Sequence, residues 1–194
     1  MSRRTLRVQD AEAYLLHSSP WRETSLLIQA FAREHGVVSL AARGAKRPYS
    51  VLRPVLSAFQ PLAISWSGAG EVKTLTRAEC AGVHRLSGRA HMSAWYMNEL
   101  LLRLLPREDP HPVLFDAYDA ALRRLASQQP AASSLRRFEW MLLHETGYGV
   151  ENEAPDFDDP ALEPQLRRQL RERLDELLGR PLQTRKVLME LQRY

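Results

Sequence analysis

Residues 43–53 hold Arg43, Lys46, Arg47 and Arg53, set around Gly44 and Tyr49. Mobile cations on a short glycine-containing stretch suit a polyphosphate chain. Each neutralised phosphate releases condensed counterions, and glycine lets the backbone come close. Arg3, Arg4, Lys73 and Arg77 are candidate flanks. Tyr49 lies among the cations, and Trp21 and Trp66 fall near predicted strand ends. Binders of single-stranded nucleic acid combine such a groove with aromatic side chains on which bases stack. The same residues also read as a solvated charged loop, with both tryptophans in the core of a small barrel.

A second group is Arg136, Arg137, Phe138, Trp140 and Met141. Arg136 and Trp140 are four apart and share one face of a helix, with Leu135, Phe138 and Leu142 turned to the core. That pattern fits an amphipathic helix with a charged outer face, or an arginine-rimmed apolar slot. A third group, Arg167, Arg168, Arg171 and Arg173, alternates with Glu172, Asp175 and Glu176. Ion pairing on a solvated face accounts for it, and a secondary nucleic-acid contact is the alternative.

Catalytic chemistry finds little support. Gly44-Ala45-Lys46 lacks the spacing of a phosphate-binding loop. His17, His35, His84, His91, His111 and His144 show no metal-ligand spacing. Ser18-Ser19 adjoins His17, but neighbours on a strand point to opposite faces, poor geometry for proton transfer. Asp156, Asp158 and Asp159 are the one carboxylate cluster suited to a cation, and they lie in a proline-rich stretch that reads as a solvated loop. We therefore expect no enzyme, no catalytic residue, no metal and no cofactor. A nuclease or NTPase is the runner-up, and a protein-interaction scaffold whose basic half serves only solubility is a third class.

The elements that must carry these residues change character near residue 85. Before it, Tyr14–His17, Ser25–Phe31, Val37–Ala42, Pro61–Trp66 and Val72–Thr76 read as strands, with a short helix within Arg53–Phe59 and a hairpin tip at Ser67–Gly70. Strand patterning alone gives a small barrel or a sandwich. After it, the period is helical. Met92–Leu105 is apolar nearly all round; Leu114, Tyr118, Ala121, Leu122 and Leu125 mark a second helix, and Leu135, Phe138 and Leu142 a third. Leu162, Leu166, Leu170, Leu174 and Leu177 mark a fourth, and Thr184–Gln192 a short last one. An acidic loop spans 151–164.

Composition agrees with a packed protein: 194 residues, 44% hydrophobic and 26% charged. The single Cys80 excludes an internal disulfide and any cysteine-cluster zinc site. No apolar run approaches the roughly 18 residues of a membrane span, and Met1–Asp10 has no apolar core of a signal peptide. A cytoplasmic setting follows as an expectation. Charge is uneven: residues 1–85 hold 12 Lys/Arg against 6 Asp/Glu, residues 86–194 hold 15 against 17. The basic half is the one that would meet a polyanion.

His17–Leu26, Ala42–Arg47, Gly70–Leu75, Tyr96–Leu101, Leu135–Glu139, Gly147–Val150 and Leu178–Arg185 together, in that order, resemble the RecO family of bacterial recombination mediators. The resemblance implies an α+β protein: an N-terminal five-stranded OB-fold barrel over 1–84, followed by a C-terminal α-helical domain over 85–194. It implies binding of single- and double-stranded DNA without base readout, through Arg43, Lys46, Arg47, Arg53, Lys73 and Arg77. It also implies annealing of complementary strands, help in loading a recombinase, and association with the nucleoid. The implied partners are RecR and the acidic, aromatic-ended C-terminal tail of single-strand-binding protein, for which Arg136, Arg137 and Trp140 would form the slot. Some members carry a four-cysteine zinc site, which this chain lacks. The stretch from Val150 to Leu178 is also shorter than the resemblance implies.

Overall fold

The computed structural model describes residues 6–149, 153–185 and 187. The coordinates divide into two compact units, one holding the first 84 residues with Pro106–Pro112, the other Arg85–Leu105 with Val113 onward.

The first unit is a closed barrel of β1 (Leu6–Trp21), β2 (Ser25–Ala32), β3 (Gly36–Ala42), β4 (Pro61–Gly68) and β5 (Val72–Cys80), with strand order β1-β2-β3-β5-β4. Closure rests on β1. Its C-terminal half pairs with β2, from Ala13↔Ala32 to Trp21↔Ser25, and its N-terminal half pairs with β4, from Leu6↔Gly68 to Tyr14↔Pro61. A strand that serves both edges must bend, and the ladder is interrupted between Val8 and Ala11 and between Leu15 and His17. Asp10, at φ +48°, turns the first break, its backbone N–H donating to Ser65 Oγ at 2.9 Å. The barrel closes through the parallel pair β3–β5, with Ser39↔Val72 and Ala41↔Thr74.

Inward-facing Leu15, Ile28, Val38, Leu40, Leu62, Ile64, Trp66 and Leu75 fill the barrel. The short helix α1 (Leu52–Val55) lies between β3 and β4 and packs Leu52, Val55 and Leu56 on this cluster. It is shorter than the sequence suggests. Pro106–Pro112 returns to the barrel, where Glu108 N–H donates to the Val37 carbonyl at 3.1 Å. Gly36, at φ +67°, is required there, since a Cβ would stand 2.1 Å from the Asp109 carbonyl oxygen.

The second unit contains α2 (Arg89–Leu104), α3 (Pro112–Ala126), α4 (Ala131–Glu145) and α5 (Glu163–Leu178). They bury Leu114, Tyr118 and Leu122 on α3, Phe138 and Leu142 on α4, and Leu166, Leu170 and Leu174 on α5, whereas Leu162, expected in the last stripe, is 40% exposed at the N-cap of α5. Among them Tyr118 Oη donates to Asn98 Oδ1 at 2.5 Å. The short helix expected over Thr184–Gln192 falls largely outside the described residues. Among the described residues, no helix is long and apolar enough to cross a membrane.

Candidate nucleic-acid interface

The basic loop leaves the barrel where β3 ends. Gly44 at φ +71° turns it, and Ala45 N–H donates to the Ala42 carbonyl. Ala45 is buried in the barrel cluster and pins the loop. Lys46 N–H donates to the Thr24 carbonyl at 2.9 Å, tying the loop to the β1–β2 turn. Arg43, Lys46 and Arg47 are thereby left exposed around a fixed backbone, and Arg53 is exposed on α1. None of the four pairs with a carboxylate among the described residues. The same tie brings in Arg22, which the sequence reading missed. It sits in the β1–β2 turn at φ +55°, its guanidinium 4.4 Å from the centre of the Trp21 ring. Its signal was its place in the quoted stretch His17–Leu26, whose turn faces the loop once β2 and β3 are paired.

The other expected cations divide. The parallel register of β3 and β5 carries Thr76 and Arg77 to the end of the barrel where the loop emerges. Arg77 is exposed, but Glu79 Oε1 accepts from its Nη2 at 2.6 Å and Asp10 lies 3.7 Å away; Glu79 first, then Asp10, push the guanidinium pKa up. Arg77 therefore already faces two carboxylates. Lys73 departs from the expectation. It is 4% exposed and its ammonium pairs with Glu108. Its side chain points inward from β5 and serves to hold Pro106–Pro112, so it presents no charge to a ligand. Arg3 and Arg4 lie outside the described residues.

Of the aromatic candidates, Tyr49 is 98% exposed in the loop and Trp21 is partly exposed under Arg22. Trp66 is 1% exposed and packs edge-on against His35, so it is a core residue and not a stacking platform. A groove of about 510 Å³ runs between α1 and β5, lined by Val51, Leu52, Val55 and Thr76–Cys80.

In the helical unit, Arg136 shares its stripe of α4 with Glu139 and Leu143, all buried, while Trp140, one turn on, is only partly buried. Arg136, 8% exposed, donates to Glu139 Oε1 at 2.8 Å. Tyr96 Oη donates to the same oxygen at 2.7 Å. Burial pushes the Glu139 carboxyl up, against the opposing pull of Arg136 and Tyr96. Arg136 is thus a structural ion pair and not the outer rim of a slot. Arg137 and Trp140 occupy the neighbouring edge of α4, where Phe157 and Asp158 lie against them. The acidic stretch keeps Glu153, Asp156 and Asp158 exposed but is anchored by Phe157, which is buried, and Arg137 first, then Ser133, hold the Asp158 carboxyl below its ordinary value. Among the described residues, no three His, Cys, Asp or Glu side chains gather as a metal site would need.

Two family models match this architecture, Recombination protein O N terminal over residues 6–84 and Recombination protein O C terminal over residues 85–154. The chain belongs to the RecO family. A DNA repair protein RecO of Cupriavidus pinatubonensis is 54% identical over 150 residues, 77% of this chain and 52% of that protein. One from Ralstonia nicotianae is 54% identical over 146 residues, 75% of this chain and 54% of its own length. One from Azoarcus sp. strain BH72 is 52% identical over 146 residues, 75% and 60% respectively. The chain spans between about half and three-fifths of the length of these RecO proteins. The barrel followed by helices is the architecture expected of a RecO protein with an OB-fold and a helical domain.

Proposed function

We propose that this RecO-family chain is a DNA repair protein that binds single- and double-stranded DNA through the sugar–phosphate chain, without reading bases. One observation carries the reading: Arg43, Lys46 and Arg47 stand exposed on a loop whose backbone is tied to the β1–β2 turn that carries exposed Arg22, Arg53 is exposed on the α1 that follows, and no carboxylate is set against Arg43, Lys46, Arg47 or Arg53 among the described residues. Cations already paired cost an anion their partner; these do not. Tyr49 and Trp21 supply apolar faces beside the charges, as single-strand binders use. Annealing of complementary strands follows if both strands can be held by phosphates with base edges free. The relatives' name, DNA repair protein, supports the setting.

The helical unit is read as the partner-binding half. Its Arg137–Trp140 edge suits the acidic, aromatic-ended tail of single-strand-binding protein, which would bring the protein to coated strands and help a recombinase load there. RecR is the second proposed partner. The reading places the protein in the cytoplasm with the nucleoid.

The DNA assignment is tested by fluorescence anisotropy with labelled single-stranded DNA. Changing Arg43, Lys46 and Arg47 together to Glu should abolish binding while leaving the thermal transition of the barrel in place. Unchanged affinity would remove the basic loop from the interface. Arg137→Ala should weaken binding of a single-strand-binding-protein tail peptide in isothermal titration.

A further inference from the structure

The edge of α4 that carries Arg137 and Trp140 is not empty. Phe157 lies 6.1 Å from the Trp140 ring, edge-on at 72°, with the Arg137 guanidinium 5.0 Å from its own ring centre. Asp158 Oδ2 accepts from Arg137 Nη2 at 2.5 Å, and Oδ1 accepts from Arg124 Nη2 at 3.0 Å. A phenylalanine flanked by Asp156, Asp158 and Asp159 thus fills a slot made of two arginines and a tryptophan. The chain supplies, from its own sequence, a ligand of the chemistry that slot would select.

We propose that the Glu153–Pro160 segment is a displaceable occupant of this slot, so that an acidic peptide presenting one aromatic side chain must compete with it to reach α4. The inference rests on reading the slot as a peptide site. Three features make the occupant displaceable. Its ion pairs are half open to water, where such pairs contribute little. A single aromatic ring anchors it. And two donors in the slot, Arg137 Nε and Trp140 Nε1, are shielded yet donate to nothing. Shielded donors without acceptors are unfavourable, and a peptide that brings a further carboxylate can satisfy what the resident segment leaves open. The segment's advantage is its tether: a short linker gives an effective concentration in the millimolar range. A resident with an intrinsic dissociation constant near 0.1 mM would then weaken an outside peptide about 10-fold.

The test uses the full chain and a fluorescein-labelled peptide copying Glu153–Pro160, followed by anisotropy. The Phe157→Ala/Asp158→Asn variant should bind the peptide about 10-fold more tightly than the unmodified chain, and adding Arg137→Ala should remove that binding. Equal affinity for the unmodified chain and the variant overturns the competition and leaves the slot standing. No binding to the variant, with its helical circular dichroism retained, overturns the slot itself. A second measurement avoids any packing defect at Phe157: with 4-fluorophenylalanine at position 157 of the otherwise unmodified chain, saturating peptide should move the fluorine resonance toward its solvent-exposed position. A resonance unmoved at saturation overturns displacement.

Discussion

Replacing Arg43, Lys46 and Arg47 together by alanine should change how DNA affinity depends on salt more than it changes the fold. The three side chains are exposed and pair with no carboxylate among the described residues, so their loss leaves no buried charge behind. With Arg22 and Arg53 they make five cations. If each neutralises one phosphate of a single strand, log affinity falls against log salt with a slope of roughly −3.5, at ~0.7 per phosphate. Between ~50 and ~200 mM salt that is a loss of about 100-fold. With three cations gone the slope should flatten to roughly −1.4, and the same change of salt should cost about 7-fold. Anisotropy with a labelled oligonucleotide at four or five salt concentrations reads the slope directly, and oligonucleotides of different sequence should give the same one. A triple variant whose slope matches that of the unmodified chain would refute the reasoning, because the phosphate contacts would then lie elsewhere.

Lys73→Ala serves as the contrast: its ammonium is spent on Glu108 inside the barrel unit, so the salt slope should hold while the midpoint of chemical denaturation falls. Arg136→Ala should destabilise the helical unit by about 3–5 kcal/mol in urea unfolding, since it strands the buried Glu139 carboxylate, whereas Arg137→Ala, on the half-open edge, should stay within about 1 kcal/mol. Glu99 gives a pH prediction. Burial raises its carboxyl, but the Thr184 and Gln183 backbone N–H groups, the Thr184 hydroxyl and Arg103 outweigh that and hold it below its ordinary value. A carboxyl depressed in the folded state contributes stability above its unfolded value of about 4.3, lost as pH falls through the lower folded value. The Thr184 amide resonance should therefore shift with a midpoint below about 4.3; a midpoint at or above it would show that Glu99 is not the anchor.

The strands and helices that carry an uninterrupted period were legible in the sequence, and the places where it failed have local causes. β1 was expected to begin at Tyr14 and begins at Leu6, because the break at Asp10 shifts the inward positions by a residue and destroys the alternation of Leu6–Ala13. β5 runs on past Thr76 to Cys80 because a register shift against β4 at Ser65/Trp66 turns Arg77 and Glu79 outward and breaks the alternation there. At the candidate site, the exposure of Arg43, Lys46, Arg47 and Arg53 was legible, since a loop after a strand leaves its cations in solvent. Lys73 and Arg136 were not, because each is buried by a carboxylate from a position that spacing alone did not mark: Glu108 from a returning segment, Glu139 from the same helix but on a face expected to meet water. Arg22 was invisible for the converse reason. Only the Lys46–Thr24 hydrogen bond makes it a neighbour of the loop.

Many helix arginines stand against carboxylates while the cations of the loop after β3 do not, and that contrast ranks the two as candidate polyanion sites. On the helices Arg123 pairs with Asp119, Arg124 and Arg137 with Asp158, Arg136 with Glu139, Arg171 with Asp175 and Arg173 with Glu176. A phosphate arriving at any of these must displace a carboxylate already in place, so the gain is the difference between two anions. At the barrel rim it displaces only water and small ions, and the full counterion release is available. On α5 the same pairing occupies Arg171 and Arg173 and leaves Arg167 and Arg168, so that helix offers fewer open cations than the loop after β3 and is the weaker candidate for DNA. It is also why the uneven formal charge of the two halves carries meaning that a net value of +4 conceals. On the proposed reading, an arginine–carboxylate lattice on a helix edge suits a ligand that brings an apolar ring as well as charge. The Arg137–Trp140 edge holds just such a pair in Phe157 and Asp158.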